Sequence, residues 1–142
     1  MKIIVVSGGF DPIHSGHIEY IKAAKKLGDT LVVALNSDDW LIKKKGLFFM
    51  PFKDRKIILE ELSSVDHVID FIDDDIGSSI NALEKIKKIY PNDTIAFANG
   101  GDRNKDNIPE LSVVGIEFLF HVGGEKQNSS TQILEKYLKK MV

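Results

Sequence analysis

The chain has 142 residues, 43% hydrophobic and 28% charged, with a formal net charge of −2, the balance of a folded globular protein with its own core. It contains no cysteine, which excludes disulfides, thiolate nucleophiles and Cys-based zinc sites. The charge gives no bulk attraction to nucleic acid, and the apolar run in MKIIVVSGG is too short for a signal segment or a membrane span, so a cytoplasmic protein with no nucleic-acid and no membrane partner is expected.

Along the chain, strand and helix patterns alternate. Residues 2–7 (KIIVVS) are a β-branched apolar run closed by Gly8-Gly9 and predict a buried strand. Residues 15–27 set Ile18, Ile21, Ala24 and Leu27 on one helical face, with Gly28 as the helix stop. Residues 30–35 (TLVVAL) predict the second strand. Residues 37–50 lack a clean period, hold Lys43-Lys44-Lys45-Gly46, and predict mostly loop. Residues 52–62 predict a helix on Ile58 and Leu62, with Val65 just beyond. Residues 67–70 (HVID) predict a short third strand. Residues 78–90 predict a helix on Ile80, Leu83, Ile86 and Ile89 or Tyr90, stopped by Pro91. Residues 94–98 (TIAFA) predict the fourth strand, 99–111 a polar loop, and 115–120 contain the fifth strand. Residues 129–140 predict a last helix on Ile133, Tyr137 and Met141, with Leu134 and Leu138 beside them.

Strands separated by helices imply parallel pairing. The expected fold is a Rossmann-like α/β domain spanning 1–142, a doubly wound parallel five-stranded sheet with helices on both faces. Ligands of such sheets bind beyond the carboxyl ends of the strands, where the strand order reverses.

The loop after the first strand reads Gly8-Gly9-Phe10-Asp11-Pro12-Ile13-His14-Ser15-Gly16-His17. Its glycines allow close backbone approach, and the helix that follows offers free N–H groups and a positive dipole end. His14 and His17, three apart, share one side of that turn. The combination forms a phosphate cradle with two imidazoles. A plain strand–helix turn, capping histidines and a histidine metal pair are the competing readings. The last lacks a third ligand, and no resident metal is expected. No G-x-G-x-x-G follows the strand, which disfavours a dehydrogenase. Only two arginines occur, Arg55 and Arg103, each a candidate phosphate ligand. Phe48-Phe49-Met50 fits core, a lid over the acceptor, or a dimer contact.

GGFDPIHSGH resembles the H-x-G-H signature of the cytidylyltransferase-like nucleotidyltransferases, and the resemblance runs along nearly the whole chain. Asn36-Ser37-Asp38 resembles the end of that family's second strand. Lys43-Lys44-Lys45 sits where the family places a lysine that reaches the triphosphate. Asp54-Arg55-Lys56 resembles its R-x-x-I/L helix start, Val65-Asp66-His67-Val68 its V-D-x-V strand entry, Asn99-Gly100-Gly101-Asp102 its G-G-D or G-D-D loop, and Asn128-Ser129-Ser130-Thr131 its final S-T helix start. The glycerol-phosphate cytidylyltransferases and heptose-phosphate adenylyltransferases are the most similar branches. Where the family often carries R-x-x-G-I-S-T, this chain has Lys126 and Gln127 and no Arg.

The resemblance implies direct attack of an acceptor phosphate on the α-phosphorus of an NTP, with Mg²⁺ or another divalent cation accompanying the nucleotide. It implies catalytic roles for His14, His17 and Lys44 or Lys45. Nucleotide contacts are expected from Gly8, Gly9, Phe10, Gly16, Gly100, Asp102, Arg103, Ser129, Ser130 and Thr131, and acceptor contacts from Asp11 and Arg55. The partners are an NTP and a phosphorylated sugar or alcohol, with a possible homodimer. ATP is favoured over CTP, because the second glycine of Gly100-Gly101 would leave room for a bulkier ligand. A glycerol-3-phosphate cytidylyltransferase and a non-catalytic nucleotide-binding sensor are the alternatives.

Overall fold

A computed structural model of the chain describes residues 1–101, 103–124 and 130–141. Five parallel strands, β1 (Lys2–Gly8), β2 (Thr30–Leu35), β3 (His67–Ile69), β4 (Thr94–Ala98) and β5 (Ile116–Leu119), form one sheet in the order β3-β2-β1-β4-β5. Helices α1 (Ser15–Lys25), α2 (Asp38–Lys45), α3 (Phe52–Glu60), α4 (Ile80–Ile89) and α5 (Ser130–Met141) and a 3₁₀ turn, Pro109–Ser112, connect or follow the strands.

Side chains alternate across a strand, and both faces of this sheet are covered. Ile4 and Val6, Leu31 and Val33, and Ala96 and Ala98 pack towards α1 and α3 with Ile21, Ala24 and Leu59. Ile3 and Val5, Val32 and Ala34, and Ile95 and Phe97 pack on the other face with Leu83 and Ile86 of α4. Burial on both sides explains why the strands read as unbroken apolar runs.

Three local expectations change. Residues 38–45 are helical, not loop. Ser37 caps this α2 by accepting from Trp40 N–H at 3.0 Å, Asp38 and Asp39 occupy its first turn and lysines its last, and left-handed Gly46 closes it. Only Leu41 of α2 is buried, so no apolar period marked it. Gly28 is not the helix stop: Lys26 ends α1 in ordinary helical conformation. A Cβ on Gly28 would stand 2.6 Å from Ile4 Cγ1 and 2.9 Å from Lys2 O, so the glycine serves close packing against β1. In α3 the buried positions are Arg55 and Leu59, while Ile58 is partly exposed.

The register opens the sheet at one place. Pairing of β1 with β4 ends at Val5↔Phe97, whereas pairing of β1 with β2 continues to Gly8↔Leu35. The last residues of β1 therefore leave β4, and a crevice forms at the point where the strand order reverses.

Asp66, just before β3, ties the sheet to α1. Its carboxylate accepts from Lys25 Nζ at 2.6 Å and from Leu31 N–H at 2.8 Å. Burial disfavours the Asp66 charge, but these bonds and the Lys25 cation outweigh it and hold the pKa below its ordinary value. A carboxyl whose pKa is lowered by folding adds stability that is complete above its unfolded value, about 4, and lost as pH falls through the folded value. D66N should therefore flatten the acid limb of the stability profile, measured as unfolding free energy against pH, while changing its neutral slope little. Parallel profiles for both proteins would contradict this role.

Candidate active site

The crevice is a cleft of about 650 Å³, lined by Ser7 from β1, His14 to His17 from the start of α1, Phe97 and Ala98 from β4, and the loops beyond β4 and β5. Its size is that of a small-molecule site.

Two histidines cap α1. His14 Nδ1 accepts from Gly16 N–H at 3.0 Å, and His17 Nδ1 accepts from His14 N–H at 3.2 Å. This is the reciprocal geometry of a capping box with imidazoles in place of hydroxyl and carboxylate. The rings stack at 3.8 Å and 22°, and the edge of Phe10 supports His17 at 4.9 Å. An Nδ1 that accepts a hydrogen bond carries no proton, so each neutral imidazole bears its proton on Nε2. The caps thus set both rings as Nε2–H donors at a helix N-terminus.

The glycines before them serve packing. A Cβ on Gly8 would meet the Phe10 ring at 3.1 Å, and one on Gly9 would lie 2.7 Å from Leu41 of α2. Phe10 itself is buried in the core at a positive φ of 50°. Further along α1, Tyr20 O–H donates to Ala98 O, and burial raises the phenol pKa. Tyr20 sits so close to the neighbouring loops that a Cβ on Gly100 would be 3.1 Å from its ring, and one on Gly123 would be 3.1 Å from its Cα. Gly101 is different: its φ is 63° and a Cβ there would meet nothing within 4 Å. That glycine answers a backbone conformation in which any side chain would be strained. Buried Asn99 donates Nδ2–H to Leu119 O at 3.2 Å while its N–H bonds the same carbonyl at 2.8 Å, which joins the ends of β4 and β5.

Asp11 and Arg55 face inward. The Asp11 carboxylate accepts from Phe49 N–H at 2.6 Å and Met50 N–H at 2.7 Å. Arg55 is 1% exposed. It donates to Met50 O at 2.9 Å, Gly9 O at 2.9 Å, Asn36 O at 2.8 Å and Asp38 Oδ1 at 2.7 Å. Their contacts are with the loops that frame the cleft. Lys44 and Lys45 diverge from the last turn of α2: Lys44 Nζ lies 4.6 Å over the Trp40 ring, and Lys45 Nζ approaches Asp11 O at 3.5 Å. Phe48 and Phe49 are both exposed on the segment that Asp11 holds.

Arg103 is partly exposed, with Nη1 3.7 Å from Glu110 Oε1, and it borders both the cleft and a second cavity of about 450 Å³. Asp102 and Ser129 lie outside the described residues, as do Lys126 and Gln127, and the side chains of Ser130 and Thr131 are likewise not described. Sequence reasoning missed Tyr20, Asn99 and Glu110. Tyr20 and Glu110 carried no motif; Asn99 stood inside a noted motif but was passed over for its glycines. Among the described residues, no group of three or more His, Cys, Asp or Glu side chains converges to hold a metal ion, and no helix is long and apolar enough to cross a membrane.

This sheet order, with the cleft at the point where it reverses, is that of the doubly wound, Rossmann-like α/β folds. Within that class, residues 5–136 match the family described as Cytidylyltransferase-like, and the chain belongs to that family. Among curated proteins it is 36% identical over 150 aligned positions to the bifunctional protein HldE of Hahella chejuensis, covering 99% of this chain and 28% of that one. The chain therefore spans about a quarter of the length of that relative. Among solved structures it is similar to a lipopolysaccharide core biosynthesis protein from Thermoplasma volcanium, with a TM-score of 0.64, 25% identity, and coverage of 84% of this chain and 95% of that one. It also shares its fold with a bifunctional NMN adenylyltransferase/ADP ribose pyrophosphatase from Francisella tularensis complexed with AMP and a Mn ion, with a TM-score of 0.63, 20% identity, and coverage of 97% and 42%.

Removing Arg55 leaves a cavity and takes the donor away from the carbonyls of Met50, Gly9 and Asn36, at a cost of about 3 kcal/mol or more. R55A should lose that much in urea unfolding. R55K should recover only part, because an ammonium lacks the planar fork that reaches four acceptors. D11N should accelerate hydrogen exchange at the Phe49 and Met50 amides before it affects the sheet; unchanged exchange would contradict the tether.

Proposed function

We propose that this chain transfers an adenylyl group from ATP to a phosphorylated sugar or alcohol and releases pyrophosphate. The observation that carries this reading is the pair of imidazoles, each held through Nδ1 at a helix N-terminus, that line the switch-point cleft. An acceptor phosphate oxygen attacks the α-phosphorus, the bond to the β-phosphate bridging oxygen breaks, and pyrophosphate departs. Charge builds on the α-phosphoryl oxygens and the leaving group as this happens. Such a transfer needs mainly positioning and charge stabilisation, and preoriented N–H donors with a positive helix end supply both.

In this reading the nucleotide lies over Gly16, Gly100 and the end of β1, and the family resemblance implies further nucleotide contacts from Asp102, Ser129, Ser130 and Thr131. Gly8, Gly9 and Phe10 act through the shape of the loop. Asp11 and Arg55 act on the acceptor side by fixing the segment around Phe49 and Met50. Lys45, beside the loop after β1, neutralises the triphosphate, and Lys44 faces the acceptor. Mg²⁺ travels with the nucleotide, held by its phosphates, and supplies further charge neutralisation there. The choice of ATP follows the similarity to HldE and the resemblance to heptose-phosphate adenylyltransferases, with CTP as the competing donor. A homodimer is compatible with this arrangement.

Pyrophosphate release with ATP and CTP against a panel of phosphorylated acceptors tests the reading. ATP should support the faster turnover; faster turnover with CTP would transfer the assignment to a cytidylyltransferase. H17A should lower kcat by about 10²-fold, the scale of one preorganised donor, with a smaller change in KM. A folded H17A protein working at the parent rate would refute the role of the histidines. K45A should lower kcat more than K44A, and K44A should act mainly on acceptor KM.

A further inference from the structure

Trp40 is the chain's single tryptophan, and it stands on α2, a helix that buries only Leu41. Its side chain is half-buried and held along two edges. Its Nε1–H donates to Gly77 O at 2.9 Å, in the loop after β3. Gly77 has a φ of 71°, and a Cβ there would stand 3.2 Å from Trp40 Nε1. At the other edge of the indole, a Cβ on Gly9 would lie 3.4 Å from Trp40 Cζ3. The backbone is tied to the same loop: Trp40 N–H donates to Ser37 Oγ at 3.0 Å, and Ser37 Oγ donates to Asp73 Oδ2 at 2.5 Å. Over the ring face, 4.6 Å from its centroid, lies Lys44 Nζ.

Anchoring α2 to this loop needs one N–H donor. A large aromatic face turned to a cation is a second feature, and indole joins the two in one side chain. Residues 40 and 44 share a helix face, and an ammonium within about 6 Å of a Trp centroid is attracted by the ring quadrupole. Lysine is a flexible stem whose charged head is costly to order. The ring removes part of that cost before any ligand arrives. It meets only one side of an ammonium that carries several donors, so the contact is compatible with binding an anion. Trp40 and Lys44 both border the second cavity, and so does Arg103, which also lines the cleft.

We infer that Trp40 is a positioning residue: its indole, tied at one edge to the loop after β3, holds the Lys44 ammonium at the border of the second cavity, set for the phosphate of the acceptor. This rests on the transferase reading, which supplies that phosphate. The indole touches no reacting atom and acts through Lys44. Because Gly77 fixes the place of the ring, the loop after β3 governs a cation of the site without contacting the substrate.

Two measurements on the full chain test this role. In NMR spectra of the ¹³C-lysine-labelled protein, with K44A supplying the assignment, the Lys44 ε-methylene signal should lie upfield of the other lysines, shielded by the ring, and should lose that shift in W40L. Calorimetric titration with glycerol 3-phosphate and mannose 1-phosphate gives the second. For at least one of these esters, W40L should weaken binding about threefold or more, the scale of an exposed cation–π contact. W40F keeps an aromatic face and loses the N–H, and its affinity should stay closer to wild type. In a K44A background, W40L should have no further effect. W40M, which keeps apolar bulk without a ring, takes the place of W40L if that variant does not fold. An unshifted Lys44 signal in the wild type, neither ester binding, wild-type affinity in the ringless variant, W40F as weak as that variant, or a loss that persists in full in the K44A background would each overturn the proposal. Failure of the transferase reading is separate: the coupling of Trp40 to Lys44 in ester binding would stand while no pyrophosphate was released from ATP or CTP.

Discussion

Arg55 reaches from α3 to the carboxyl edge of the sheet, where its guanidinium meets the carbonyls of Gly9, Asn36 and Met50 and the carboxylate of Asp38. A buried cation is tolerated only when its donors are matched by acceptors, and here the acceptors come from the loops after β1 and β2 and from the segment before α3. The strands bring these loops near one another but do not fix them. The guanidinium does, and its planar fork demands a particular spacing of the carbonyls. Asp11 completes the frame from the other side through the amides of Phe49 and Met50. The loops of the cleft rim on the β1–β2 side are tied to one another through these contacts.

On the β4–β5 side, different physics does the same job. Tyr20 is wedged against Gly100 and Gly123, and Asn99 joins the two strand ends. Small residues and an aromatic ring replace the ionic frame. The two histidines stand between these walls, each held by the other's backbone or by its own helix. The capped tautomer, the dipole end and the parting of β1 from β4 all converge on the same few ångströms of space.

The strands and their parallel order were legible because both sheet faces are buried and the apolar runs are uninterrupted. The cleft's location followed from topology, and the histidine loop from its motif. What escaped did so for particular reasons. In α2 the boundary signals were present in Ser37, the two acids that follow it, the lysines and Gly46, but a helix with one buried side chain has no apolar period to weigh. In α3 an arginine occupies an inward position, so apolar spacing selected Ile58 in its place. Gly28 and Gly101 look alike in sequence, yet one is required by a neighbour's methylene and the other by its own φ. Glu110 sits in a stretch without periodicity, and its burial arises from contacts thirty residues away in the chain.

The tether on residues 49 and 50 grips main-chain atoms. Asp11 takes their amides and Arg55 takes the carbonyl of Met50, so no side chain of that segment is needed to keep its path. The stretch is thus a cassette whose outward letters can be rewritten while its route across the rim is preserved. Substitutions at Phe48 or Phe49 are free to change the outward surface without renegotiating the geometry of the cleft beneath.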